Sequence, residues 1–273
     1  GITPCLIEVS EKLTDSQFVN EKISHSVILA DVSEAEKIGK DCGGFPDFKK
    51  INSANVSPVG VENIGEVRAT DVDLYGDKFY ISFFSDDEVS PDLASGLIGK
   101  NSDLAVNVGP ALNAIDTASG IIFGAQNSTT TQVVIFDSDN LSLVATSTLP
   151  SVAGVRPEGW SIFYYDGYLY VGTKRTAGRE IHVFDVKNPA NPNWLGSLEV
   201  NHNINDIVVR NNLAFLATSG NTKDLIILDV LNPQNMFQIS SLDLPGNEDG
   251  RSLKLIGNKL YIGRFKSTIG NPE

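Results

Sequence analysis

Apolar residues along this chain come in short bursts of strand length, and the bursts recur. Five stretches share one plan: an apolar strand, a polar turn and a second strand bearing an aromatic. They are residues 71–82, 114–125, 161–172, 206–217 and 252–263. Strand, Gly/Asn/Asp-rich turn, strand is the signature of a β-hairpin. The aromatics Tyr80, Phe123, Tyr170, Phe215 and Tyr261 set a period of 43, 47, 45 and 46 residues. Two positions later stand Ser82, Ala125, Gly172, Ala217 and Gly263. Small residues at one depth of every unit suit strands crowded toward a common axis.

A third apolar strand follows three of the hairpins and ends each time in aspartate: Val133–Asp137, Ile181–Asp185 and Leu225–Asp229. Weaker fourth strands follow at Leu143–Thr146, Leu195–Val200 and Gln238–Leu242. Four antiparallel strands in each unit of this length match a propeller blade. The expected fold is therefore all-β: a β-propeller of five four-stranded blades in a single domain over residues 1–273. Leu225-Ile-Ile-Leu-Asp229 and its copies resemble the motif that names the LVIVD-repeat family, over about residues 65–265. That resemblance implies a β-propeller of bacterial or archaeal cell surfaces and secretions, and it brings no catalytic residues.

The last unit stops after two strands, while Val27-Ile-Leu-Ala-Asp31 near the start is an Asp-terminated strand without a hairpin before it. The two halves are expected to share one blade and close the ring, which removes free sheet edges. The unit from 71 to 112 departs from the plan: it lacks a clean Asp-terminated third strand, and Asp103–Val106 substitutes poorly. Residues 1–25 and about 33–50 fit no repeat and read as an N-terminal extension and an insertion. Cys5 and Cys42, the only cysteines, both fall there. A sparse, even pair points to a disulfide between them in an oxidising compartment, with two free thiols as the alternative.

Composition narrows the function. Thirty-four acidic against 21 basic residues leave a net charge of −13, which repels nucleic acid and anionic lipid. No apolar run is long enough to span a membrane. The chain begins at Gly1, consistent with removal of a signal or trimming, and it reads as secreted or part of a longer envelope protein. Sequons at Asn55, Asn127 and Asn140 carry little weight in so Asn-rich a chain. The common catalytic motifs are absent. His25, His182 and His202 form no metal-ligand cluster, and Asp71-Val-Asp73 lacks the spacing of a calcium loop. No cofactor or metal is expected.

What remains is the mouth of the channel. The entries to the five hairpins should converge at one end, because the period repeats their position about the axis. Ten residues before the aromatics stand Thr70, Asn113, Trp160, Asn205 and Arg251, and two residues earlier Arg68, Ala111, Glu158, Asn203 and Asp249. Wet loops are polar for that reason alone. As a site, Glu158, Trp160, Asn205, Asp249 and Arg251 are the candidates, with Trp160 able to stack on a sugar. The expected function is a non-catalytic extracellular or cell-surface module binding a protein or carbohydrate, or serving as a scaffold. The alternative is a glycosidase-type hydrolase, which needs two carboxylates at a catalytic separation. Glu158, Asp206, Asp249 and Asp71 are its possible members.

Overall fold

The computed structural model describes residues 68–84, 90–98, 100, 102–152, 154 and 156–265. Of the chain's two units, residues 1–60 with Pro272 lie outside these, so all that follows concerns the second. The Val27–Asp31 strand, the Cys5–Cys42 pair and the two non-repeat segments are likewise outside the described residues.

Five antiparallel sheets follow one another along the chain. The first holds β1 (Arg68–Tyr75), β2 (Lys78–Phe84), β3 (Leu93–Leu97) and β4 (Ser102–Val106). The second holds β5 (Leu112–Ala118), β6 (Ile121–Gln126), β7 (Val133–Asp137) and β8 (Leu143–Ser147). The third is β9 (Gly159–Tyr165), β10 (Tyr168–Thr173), β11 (Ile181–Asp185) and β12 (Asn193–Leu198). The fourth is β13 (Ile204–Arg210), β14 (Leu213–Thr218), β15 (Leu225–Asp229) and β16 (Phe237–Leu242). The fifth has only β17 (Gly250–Ile256) and β18 (Lys259–Arg264). Strands lie in sequence order within each sheet, and no α-helix occurs among the described residues.

Local chemistry explains this plan. The first two strands meet through two-residue turns at Ser119-Gly120, Asp166-Gly167 and Asn211-Asn212, where both residues have positive φ. That conformation matches the twist of paired strands and selects Gly, Asn and Asp. The terminal aspartates of the third strands turn the chain: carboxylates of Asp137, Asp185 and Asp229 accept from the backbone N–H two residues on, at 2.9–3.0 Å. The first sheet departs from the plan as expected, but its third strand lies earlier than Asp103–Val106. That strand is Leu93–Leu97, without a terminal Asp, and Asp103–Val106 belongs to the fourth strand. Ser95-Gly96 broke the apolar run that marks the other third strands.

The core lies between successive sheets rather than in one centre. Tyr80, Leu93, Ile122 and Phe136 are packed together between the first and second sheets. Phe123, Leu149, Leu169 and Phe184 fill the next layer, and Ile181, Ile207, Leu216 and Ile226 the one after. Leu225 and Leu253 join the fourth sheet to the fifth. The first strands pack side by side in the order β1, β5, β9, β13, β17. The small residue after the aromatic is required here. A Cβ on Gly172 would meet the Ser161 hydroxyl and lie 2.7 Å from Ile204 Cγ2 on the next sheet. The arrangement is propeller-like. Val72 and Leu74 on β1 are exposed, as are Phe237, Ile239 and Leu242 on β16 and Tyr261 on β18.

Candidate functional site

Three of the five positions ten residues before the aromatics do the same work at their junctions. The first strands of neighbouring sheets splay too far apart to pair directly, so side chains span the gap. Thr70 Oγ1 donates to the Leu112 carbonyl at 2.7 Å, and Asn113 Nδ2 to the Gly159 carbonyl at 2.6 Å. Asn205 Nδ2 donates to the Gly250 carbonyl, also at 2.6 Å. The three acceptors occupy equivalent places at the start of the following sheet. Trp160 makes no such bond, and its neighbour Ser161 takes over, donating to the Ile204 carbonyl at 2.9 Å. Asn205 is thus tied into a junction, while Trp160 is released from one.

Trp160 is half-buried, and the Lys174 ammonium lies 4.2 Å from its ring centroid. Glu158 Oε2 holds that ammonium at 2.8 Å. Glu158, Trp160 and Lys174 therefore form one cluster, with the cation on the electron-rich ring face. Arg251 is exposed and stacks on Phe265 at 5.5 Å. Asp249 is half-buried, and burial raises its carboxyl above the usual range. The structure thus ties Glu158 and Trp160 to one another, and joins neither to Asp249 or Arg251 by a bond.

Two further sets of residues hold strands together, in roles the sequence did not show. The first is a series of aspartates on the first strands. Oδ2 of Asp71 accepts from Ile115 N–H at 3.0 Å and Oδ2 of Asp73 from Thr117 N–H at 2.6 Å. Asp116 accepts from Tyr164 N–H at 2.5 Å and Asp206 from Leu253 N–H at 2.7 Å. In each case the other oxygen accepts from the next N–H of its own strand. Burial dominates these backbone donors and pushes Asp116 and Asp206 up to about 7.

The second set stands immediately before each third strand: Asp92, Gln132, Glu180 and Asp224, all buried. Each accepts an N–H from just beyond the fourth strand: Val108, Leu149, Val200 and Leu244, at 2.7–2.9 Å. Their shared signal was a polar residue against an apolar run, masked by its changing identity. Asp224 also faces Arg264 of the fifth sheet, 3.5 Å from Nε, with both side chains almost fully buried. Arg264 further donates to the carbonyls of Pro245 and Glu248. His182 is packed in β11, its Nε2 2.7 Å from the Arg179 carbonyl, and burial lowers it to about 4. Among the described residues no group of three or more His, Cys, Asp or Glu is placed to hold a metal. No helix among them is long and apolar enough to cross a membrane.

No curated protein matches the chain. Among solved structures it is similar to the computationally designed Ika4 protein, with 16% identity over 57% of this chain and 86% of that one, at a TM-score of 0.44. It is also similar to the computationally designed Ika8 protein, with 12% identity over 73% and 69%, at a TM-score of 0.48. The LVIVD repeat model matches residues 158–200 and 203–243. These spans cover the third and fourth sheets, including the Asp-terminated strands β11 and β15. The chain thus carries two LVIVD repeats, one in its third sheet and one in its fourth.

Proposed function

We propose that the chain is a five-bladed propeller acting as a non-catalytic binding module outside the cell or on its surface, with a protein or glycan held at the mouth beside Trp160. The observation that carries the reading is the release of Trp160 from the junction role. At three of the four junctions the residue in its position is spent on a neighbouring carbonyl, whereas Trp160 keeps a half-buried ring. Three of the four carboxylates named for a hydrolase are otherwise engaged. Asp71 and Asp206 accept backbone donors on both oxygens, and Glu158 holds Lys174. Retention on immobilised glycans tests the reading. Trp160→Ala is expected to weaken retention with the fold intact. Turnover of a glycoside abolished by Glu158→Gln would establish the hydrolase instead.

Ring closure belongs to the same proposal. The exposed apolar residues of β1, β16 and β18 support a fifth blade completed by Val27–Asp31. In three sheets the aromatic of the second strand pairs with the middle residue of the third: Phe123 with Ile135, Tyr170 with Val183, Phe215 with Ile227. A blade completed in this register would pair Tyr261 with Leu29. A Leu29→Cys/Tyr261→Cys variant is expected to cross-link on oxidation, and a failure to do so refutes the closure.

A further inference from the structure

Three connectors are stitched together beside the Trp160 cluster. They are residues 174–180 between β10 and β11, 199–203 between β12 and β13, and 219–224 between β14 and β15. Arg175 N–H donates to the Asn203 side-chain oxygen at 2.7 Å. Asn203 N–H donates to Ser219 Oγ at 3.1 Å, and Ser219 N–H returns to the Asn203 carbonyl. Lys223 N–H donates to the Gly220 carbonyl at 2.8 Å. The His202 ring lies against Gly220 so closely that a Cβ there would be 2.8 Å from it. The backbone beneath these side chains is therefore held in place from several directions.

The connectors also carry two basic residues, Arg175 and Lys223. Lys78, Lys174, Lys187 and Arg264 each have an acidic partner. Among the described residues, neither Arg175 nor Lys223 makes an ion pair. Both are near enough for their charges to act on His202, which burial and these two cations hold below its ordinary value against the pull of Asp249. Two cations without an ion pair beside the His202 ring, on a chain of net charge −13, make a local positive site.

We propose that Arg175 and Lys223 receive the carboxylate of an acidic oligosaccharide, with His202, Asn203 and Ser219 available to its hydroxyls. This rests on the reading of the mouth as a glycan-binding surface. The chemistry favours a sparsely charged ligand. Two cations suit one carboxylate, and the acidic remainder of the chain repels a dense polyanion. The Trp160 ring lies one residue away through Lys174, whose ammonium covers it, which places an aromatic beside the charge.

The test is calorimetric titration of the whole chain with trigalacturonate, maltotriose and hexaglutamate peptide. Trigalacturonate is expected to bind more tightly than either comparator. Its affinity is expected to fall about tenfold or more in Arg175→Ala and in Lys223→Ala, and to weaken between about 50 and about 500 mM salt. Arg175 is exposed, so Arg175→Glu abolishes binding without endangering the fold. Trigalacturonate binding that is absent, or unchanged in these variants, overturns the inference. If maltotriose binds as tightly and depends on Trp160, the carboxylate site is refuted while the glycan-binding reading stands. If hexaglutamate binds most tightly, the ligand class is a protein and the glycan assignment fails.

Discussion

Arg264 offers the most decisive test of how the fifth sheet is held. Its side chain is only 3% exposed and reaches back into the fourth sheet. There it stands 3.5 Å from Asp224 and 3.6 Å from Glu248, with Asp224 only 2% exposed. Arg264→Met keeps most of the apolar stem but removes the charge, leaving the Asp224 carboxylate buried with the Leu244 N–H as its neutral donor. Removing one partner of a buried ion pair costs about 3–5 kcal/mol. The separations here are longer than ideal, so the lower end applies, about 3 kcal/mol. The carbonyls of Pro245 and Glu248 add little, since they belong to a connector that water reaches. For a unit of this size that corresponds to a fall in Tm of about 6–12 °C. Urea titration followed by tryptophan fluorescence reads the difference. Adding Asp224→Asn removes the stranded charge while keeping an acceptor for Leu244, so the double variant is expected to recover part of the loss. A single variant within about 0.5 kcal/mol of the parent refutes the reasoning. So does a double variant no more stable than the single.

Three further outcomes follow from the junctions. Asp116 and Asp206 titrate near 7 in the folded chain, above the unfolded carboxyl, so the folded state retains protons that the unfolded state has released. Stability is therefore expected to fall as pH rises from about 4 through about 7, and Asp206→Asn to flatten that slope in melts across the range. Gly172→Ala forces a methyl group against Ser161 and Ile204 and is expected to cost about 1–3 kcal/mol by chemical denaturation. Glu180→Ala strands the N–H groups of Val200 and Asn201 and is expected to cost about 2 kcal/mol, whereas Glu180→Gln costs less than about 1, because Gln132 already fills the equivalent place in the second sheet.

The repeat was legible because its strongest constraints are local. Turn residues with positive φ, a small residue under a crossing strand and an Asp closing the third strand each leave a mark at a fixed offset. Ile181–Asp185 and Leu225–Asp229 were readable to the residue. The third strand of the first sheet was missed because Leu93–Leu97 is buried by its neighbours despite a Ser-Gly pair that weakens its own strand signal. The candidate site was harder to read. Asn205 and Trp160 occupy the same offset, yet only contacts across a junction show that one is tied to a carbonyl and the other is not. The buried acceptors Asp92, Gln132, Glu180 and Asp224 share a place and a partner while differing in length and charge, so identity alone concealed them.

The junction donors Thr70, Asn113, Ser161 and Asn205 all point the same way along the chain. Each unit gives a donor to the one after it and supplies a carbonyl to the one before, from Thr70 to Leu112 through to Asn205 to Gly250. A joint with that polarity is head-to-tail, so a unit copied in tandem arrives with both halves of its own coupling already matched. Growth by duplication is then far easier than growth by insertion of an unrelated sheet, which would carry neither half. The exchange of Asn for Thr, or of the donor from one residue to the next at Trp160, shows how far a copy can drift while the coupling survives. Side chains freed by such drift are the raw material from which one unit among equals can acquire a task of its own.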